Sequence, residues 1–197
     1  MTLTTLVKIF APLSGLVALV FVAILFWWLN KQDPGSPPMR EIASYIQEGA
    51  NAFLRREFMT IAPFVIVLAV ILWITMGKWQ IAFGFVMGAL FSMVAVFIGM
   101  NAAVRANVRT TQAARSSPAK ALTVAFRGGG TMGLTIVALN LLGVSLLFIL
   151  FGVTPENAPE TVHLLVGFGF GASLSALFAQ LGGGIYTKAA DVGADLV

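Results

Sequence analysis

The stretch from Gly128 to Pro155, GGGTMGLTIVALNLLGVSLLFILFGVTP, has no charged residue over its whole length. An apolar helix of roughly 20 residues crosses a hydrocarbon core about 30 Å thick. Four other uncharged stretches are long enough to do the same: Ile9–Asn30, Phe58–Gly77, Trp79–Val104 and Thr161–Thr187. The sequence therefore predicts an all-α integral membrane protein with five transmembrane helices.

Composition supports this fold class and excludes several functions. Of the 197 residues only 10% are charged, against roughly 25% in soluble domains, and the mean hydropathy is +0.92. There is no cysteine, which excludes thiolate sites, and His163 is the single histidine, which excludes a multi-histidine metal site. The net charge of +4 comes from basic residues beside apolar segments, a pattern that favours membrane topology over nucleic-acid binding.

Basic residues predict the orientation of the helices. They concentrate in the first and third connections, whereas the second holds only Lys78 and the fourth holds none. Lys and Arg favour the cytoplasmic side, so we expect the N-terminus outside, the Arg105–Arg127 connection in the cytoplasm and Thr154–Glu160 outside. The fifth span then ends in the cytoplasm near Lys188, in a multi-pass protein of the cell (inner) membrane. Topology alone explains most of these bases.

We expect residues 1–197 to form one part of a single transmembrane domain. The predicted spans are about 9–30, 58–77, 79–104, 122–151 and 162–187. An amphipathic cytoplasmic helix over about 37–57 leads into the second span, because apolar residues recur there at spacings of three and four. They are Met39, Ile42, Ala43, Ile46, Ala50, Phe53 and Leu54.

Small residues inside the spans predict close helix packing. Glycines stand four residues apart at Gly84 and Gly88, at Gly129 and Gly133, and at Gly167 and Gly171. Glycine lets helix backbones approach closely. Asn140, deep in the fourth span, is expected to bond a neighbouring helix, with an ion pathway as the lesser alternative.

The end of the fifth span carries the residues most suited to ligand binding or catalysis. Lys188, Asp191 and Asp195 stand at i, i+3 and i+7, which places them on one helix face. They could form a salt-bridge ladder within the helix. They could instead hold a divalent cation and an anion, because carboxylates suit Mg²⁺ and lysine suits phosphate. The spacing alone leaves both interpretations open.

The string from Gly182 to Val197, GGGIYTKAADVGADLV, closely resembles a signature of the membrane-bound, ion-translocating inorganic pyrophosphatases. Three further stretches resemble the same family: Ile46–Leu54, Asn107–Thr111 and Ala125–Leu134. The resemblance extends over most of the chain from Met39 onward, and the first span matches by hydropathy only.

This resemblance implies a larger machine than the chain contains. Family members have sixteen transmembrane helices, act as homodimers, and couple Mg²⁺-dependent pyrophosphate hydrolysis in the cytoplasm to H⁺ or Na⁺ translocation. It implies that Lys188 contacts pyrophosphate and that Asp191 and Asp195 belong to the Mg²⁺ site. The residues that activate water are expected beyond Val197, so we expect an N-terminal portion that is inactive alone. The pumped ion and any K⁺ dependence stay open.

One position departs from the family pattern. Eight residues before the lysine, the family usually has an arginine of a charged gate, and here the residue is Gln180. The gate role is therefore not carried over. Two other interpretations remain: a non-enzymatic transporter or channel subunit whose acidic helix end binds cations, and a structural membrane protein whose charged face packs against a partner.

Overall fold

The computed structural model describes residues 3–196, and within that range the chain is helical with no β-strand. In chain order the helices are α1 (Leu3–Asn30), α2 (Pro37–Met76), α3 (Trp79–Ala114), α4 (Pro118–Leu150), the short α5 (Ala158–Thr161) and α6 (Val166–Asp195). A 3₁₀ turn at Val162–Leu165 joins α5 to α6.

Five of these segments are long and apolar enough to cross a membrane. Four are α1 to α4, and the fifth comprises α5, the 3₁₀ turn and α6. This confirms the predicted class, an all-α membrane protein with five spanning helices.

Helix ends follow local sequence. Ser36 precedes Pro37-Pro38, which open α2, and Ser117 precedes Pro118, which opens α4; proline suits a first turn, where its missing N–H is not needed. Gly77 ends α2 in a left-handed conformation, φ 63°, and its N–H donates to the carbonyl of Trp73. Between these limits α2 runs through 40 residues, so the amphipathic and apolar segments form one helix.

The helix α3 lies at the centre, packed against α2, α4 and α6, while α1 packs on α4. One core cluster joins α2 to α3 through Ile61, Val65, Phe85 and Ala89, with partly buried side chains of α6 packed against it. This packing fixes α6 against the bundle along its membrane-spanning half.

Glycines allow α3 and α6 to touch through their backbones. A Cβ at Gly88 would overlap the carbonyl oxygen of Phe168, and one at Gly171 would overlap that of Phe85. The pair Gly129 and Gly133 on α4 differs, because a Cβ on either would meet nothing within 4 Å in the described part of the chain. Two of the three glycine pairs therefore serve close packing here.

The antiparallel arrangement gathers the basic residues at one end of the bundle. That end carries the α1–α2 connection, the Arg115–Ser117 turn and the C-terminus of α6. All Lys and Arg residues except Lys8 and Lys78 lie toward it. We call it the basic end.

Candidate functional site at the C-terminus of α6

Lys188 and Asp191 come together on the last turns of α6. The Lys188 Nζ lies 3.2 Å from Asp191 Oδ2, with the two side chains 82% and 57% exposed. An exposed pair at this spacing stabilises a helix by only about 0.2–0.5 kcal/mol. The pair therefore contributes little to the stability of the fold, and both exposed side chains are accessible to a ligand.

Asp195 lies one turn beyond Asp191 on the same helix and is exposed. Over residues 3–196, no group of three or more His, Asp or Glu side chains is close enough to hold a metal ion. The two aspartates have the hard oxygen donors that Mg²⁺ takes, and Mg²⁺ commonly uses one or two protein carboxylates and completes its shell with water and phosphate oxygens. The donor set thus fits a shared Mg²⁺–phosphate site and does not fit a closed protein cage.

Aromatic contacts hold this end of α6 against α2. The Tyr186 ring lies 5.2 Å from the Phe53 ring, centroid to centroid. The Tyr186 hydroxyl donates to the carbonyl oxygen of Ile46 at 3.4 Å. Gly49 leaves room, since a Cβ there would stand 3.3 Å from the same hydroxyl. Tyr186 precedes Lys188 by two residues, so these contacts position the backbone that carries the charged face.

Gln180 lies deeper along α6, exposed and lining a cavity of about 550 Å³ between α3, α4 and α6. Asn140 lines the same cavity, and its amide donates to the carbonyl of Ile136 on its own helix at 2.8 Å. Within residues 3–196 the expected bond from Asn140 to a neighbouring helix is therefore not formed. The structure keeps Gln180 apart from Lys188, because eight residues of helix separate them by about 12 Å.

Sequence reasoning missed Glu57, the one charged residue in the buried core of the described chain. It is 8% exposed, and neither carboxyl oxygen has a hydrogen-bond partner within that part. It occupies a notch on α6, where a Cβ on Gly182 would stand 3.0 Å from its Oε1. The signal was available: Leu54, Glu57 and Ile61 continue the buried stripe of α2, which places a carboxyl among apolar positions.

Comparison with known proteins finds one matching family and several curated relatives that are similar to this chain. The family described as inorganic H⁺ pyrophosphatase matches residues 16–197. A Methanosarcina mazei protein, named as a K⁺-insensitive pyrophosphate-energized proton pump, is 50% identical over 95% of this chain and 27% of its own length. A Moorella thermoacetica protein, named as K⁺-insensitive pyrophosphate-energized proton pump 2, is 50% identical over 94% of this chain and 27% of its own length.

A Clostridium tetani relative has a name that assigns it provisionally to K⁺-stimulated, pyrophosphate-energized sodium pumps. It is 47% identical over 96% of this chain and 27% of its own length. The chain thus spans about a quarter of the length of these curated relatives.

Proposed function

This chain belongs to the inorganic H⁺ pyrophosphatase family, and on that premise we propose that it is part of a membrane pump driven by pyrophosphate hydrolysis. The pump moves H⁺ or Na⁺ out of the cytoplasm. The observation that carries the proposal is the exposed Lys188–Asp191 pair at the basic end of α6, within a chain half identical to named pumps.

We assign Lys188 to substrate binding. Its ammonium is a compact charge that pairs with phosphate oxygens, and its only carboxylate partner in the described chain is the exposed Asp191. Pyrophosphate carries several negative charges, so it competes with one solvent-exposed carboxylate for this ammonium. Tyr186, held on α2 by Phe53, fixes the helix turn from which Lys188 extends.

We assign Asp191 and Asp195 to Mg²⁺ binding. Their spacing of four residues aligns the carboxylates on one helix face, and that face is exposed. Mg²⁺ bound there would neutralise charge on the phosphoanhydride during its cleavage. Two carboxylates leave most of an octahedral shell open, so the site also needs substrate oxygens, water and further protein residues.

The helix α6 connects the charged end to the membrane-spanning part of the bundle. Its charged end lies at the basic end of the bundle, and the same helix passes Gln180 and packs along α3 through the membrane-spanning half. We therefore propose that hydrolysis and transport are coupled through α6, which reaches both regions. Gln180 lines the cavity between α3, α4 and α6, and we assign no gate role to it.

The full-length protein in sealed vesicles tests this function. We expect Mg²⁺-dependent release of phosphate from pyrophosphate, together with ion uptake into inside-out vesicles. Parallel assays with a pH-sensitive dye and with ²²Na⁺ identify the ion. Uptake of ions without hydrolysis would favour the non-enzymatic carrier, and the absence of both would contradict the proposal. The family resemblance also implies a homodimer. The mass of the full-length protein, after it is solubilised from the vesicles in detergent, tests this.

A further inference from the structure

A second polar site lies at the basic end, away from α6. The end of α1, the α1–α2 connection, the end of α3 and the start of α4 enclose a cavity of about 570 Å³. Three bases line it, Arg109, Arg115 and Lys120, together with the single carboxylate of Asp33. A cavity of this size is within the range that binds small ligands.

The one carboxylate in this cavity, Asp33, accepts hydrogen bonds from uncharged groups. Asp33 Oδ1 accepts the N–H of Gly35 at 2.8 Å, and its Oδ2 accepts the Gln112 amide at 2.9 Å. These two hydrogen bonds, the first the stronger, lower the pKa of Asp33. No Lys or Arg nitrogen lies within 4 Å of an Asp33 carboxylate oxygen in residues 3–196, where the one ion pair is Lys188–Asp191. The cavity lining therefore has three positive charges and only one negative charge.

Arg109 uses only some of its hydrogen-bond donors within the described chain. Its Nη1 donates to the carbonyl of Arg105 at 2.9 Å, whereas its Nε is buried and has no partner in the described chain. A buried donor left without an acceptor costs free energy. Arg109 also lines the cavity, and a planar guanidinium matches phosphate oxygens, so a phosphate held there would have Arg109 as a partner.

Aromatic residues place the cavity at the level of lipid headgroups. Trp28 lines it, and Arg127 stacks on the Trp28 ring with the guanidinium carbon 4.2 Å from the ring centroid. The adjacent Trp27 carries Lys31 Nζ 3.6 Å over its ring. Tryptophan concentrates at the membrane–water interface, and these two follow the apolar length of α1.

The remaining walls suit a molecule with both an anionic and an apolar part. Val124 and Ala113 give the cavity an apolar side, while Arg115 and Lys120 are exposed and leave it open to the outside of the bundle. Basic pockets between transmembrane helices bind anionic lipid headgroups. We propose that this cavity, which we call the basic cavity, binds the phosphate of an anionic membrane phospholipid.

Lipid binding to the purified full-length protein tests the proposal. The protein is delipidated in detergent and titrated with phosphatidylglycerol or with phosphatidylcholine, and bound lipid is counted by native mass spectrometry. We expect preferential binding of phosphatidylglycerol. Neutralising two bases with Arg115→Gln and Lys120→Gln should weaken it about 30-fold, since each base near a lipid surface contributes roughly a five-fold factor.

The control removes the same charge elsewhere. Arg55→Gln with Arg56→Gln neutralises two exposed bases of α2 that do not line the basic cavity, and it should leave the lipid affinity unchanged. Equal losses in both double variants would mean diffuse attraction by the basic end, which overturns the proposal. Unchanged affinity in the Arg115/Lys120 variant overturns it as well. Should that variant fail to fold, Lys120→Gln alone, at an exposed side chain, gives the same comparison with a five-fold effect.

Inorganic phosphate distinguishes the two sources of the anion. A lipid site keeps its phosphatidylglycerol when millimolar phosphate is added, because the acyl chains add apolar contacts that free phosphate lacks. Full displacement by phosphate, with the same dependence on Arg115 and Lys120, would identify a site for free phosphate and contradict the assignment to a lipid.

Discussion

Replacing Gly171 by alanine tests the backbone contact that fixes α6 in the bundle. The new Cβ would overlap the carbonyl oxygen of Phe85 and would stand 2.7 Å from its carbonyl carbon and 3.0 Å from the Ala89 nitrogen. All three are backbone atoms, so no side-chain rotation relieves the overlap. Carbon atoms pack best at about 3.5–4.0 Å, and the overlap with the carbonyl oxygen is tighter than the other two contacts. The helices α3 and α6 must therefore separate by more than about 1 Å.

The cost follows from the packing that this separation disturbs. Phe85, Ala89 and Phe168 are 4%, 0% and 2% exposed in this interface, and overpacking of a tight core costs about 1–3 kcal/mol. The gain in helix propensity from glycine to alanine, about 0.8–1.0 kcal/mol in soluble helices, offsets part of it. We expect Gly171→Ala to lower the melting temperature of the full-length protein in detergent.

Gly169→Ala is the matched control on the same helix. A Cβ there meets nothing within 4 Å in the described chain, so only the propensity gain remains and the melting temperature should stay equal or rise. Both variants are measured by intrinsic fluorescence in one detergent. Equal melting temperatures for the two would refute the close contact between α3 and α6.

Three further predictions concern other parts of the chain. In whole cells, a cysteine at Asn157 should react with an impermeant thiol reagent and one at Ser116 should be shielded; the reverse pattern would invert the topology. Glu57→Gln should raise the melting temperature, because it keeps the shape and removes a buried charge without a partner, and a clear fall would contradict this. The lowered pKa of Asp33 means that its hydrogen bonds stabilise the α1–α2 connection above pH about 4 and are lost as pH falls through that lowered pKa. Hydrogen exchange at Gly35, followed as the pH falls below about 4, should show this loss after correction for the intrinsic rate, and Asp33→Asn should abolish the step.

Sequence was sufficient for the helical architecture because uncharged length is a local property. The Gly128–Pro155 stretch predicts a spanning helix without knowledge of its neighbours, and α4 extends through it to Leu150. The start of the fifth segment was harder to predict. Residues 158–165 form a short helix and a 3₁₀ turn before α6 begins at Val166, a change of winding that hydropathy does not register.

Contacts between particular residues of different helices could not be predicted from the sequence. The three glycine pairs look alike in the sequence. Among the described residues, those on α3 and α6 face a backbone of another helix, while Gly129 and Gly133 do not. Asn140 bonds its own helix, an outcome that residue spacing alone does not predict. Helical periodicity does predict that Lys188 and Asp191 meet, since i and i+3 adjoin on any helix.

The buried and unpartnered groups required three dimensions. Arg109 lies among the bases explained by topology, and only the structure shows its buried Nε. Glu57 follows two arginines in a charged run, which conceals its place on the apolar stripe of α2. In both cases the decisive fact is the neighbour across the helix interface.

The most direct test of the central claim, that the charged end of α6 binds Mg²⁺ and pyrophosphate, is hydrolysis by three variants of the full-length protein over a Mg²⁺ titration. Asp191→Asn and Lys188→Arg should each reduce turnover by orders of magnitude with little change in melting temperature, because one removes a metal ligand and the other replaces a compact ammonium by a planar fork. Glu160→Gln, an exposed carboxyl at the opposite end of the bundle, should retain normal turnover. If Asp191→Asn and Lys188→Arg also keep near-normal turnover, the pair is only an exposed salt bridge and the assignment is wrong.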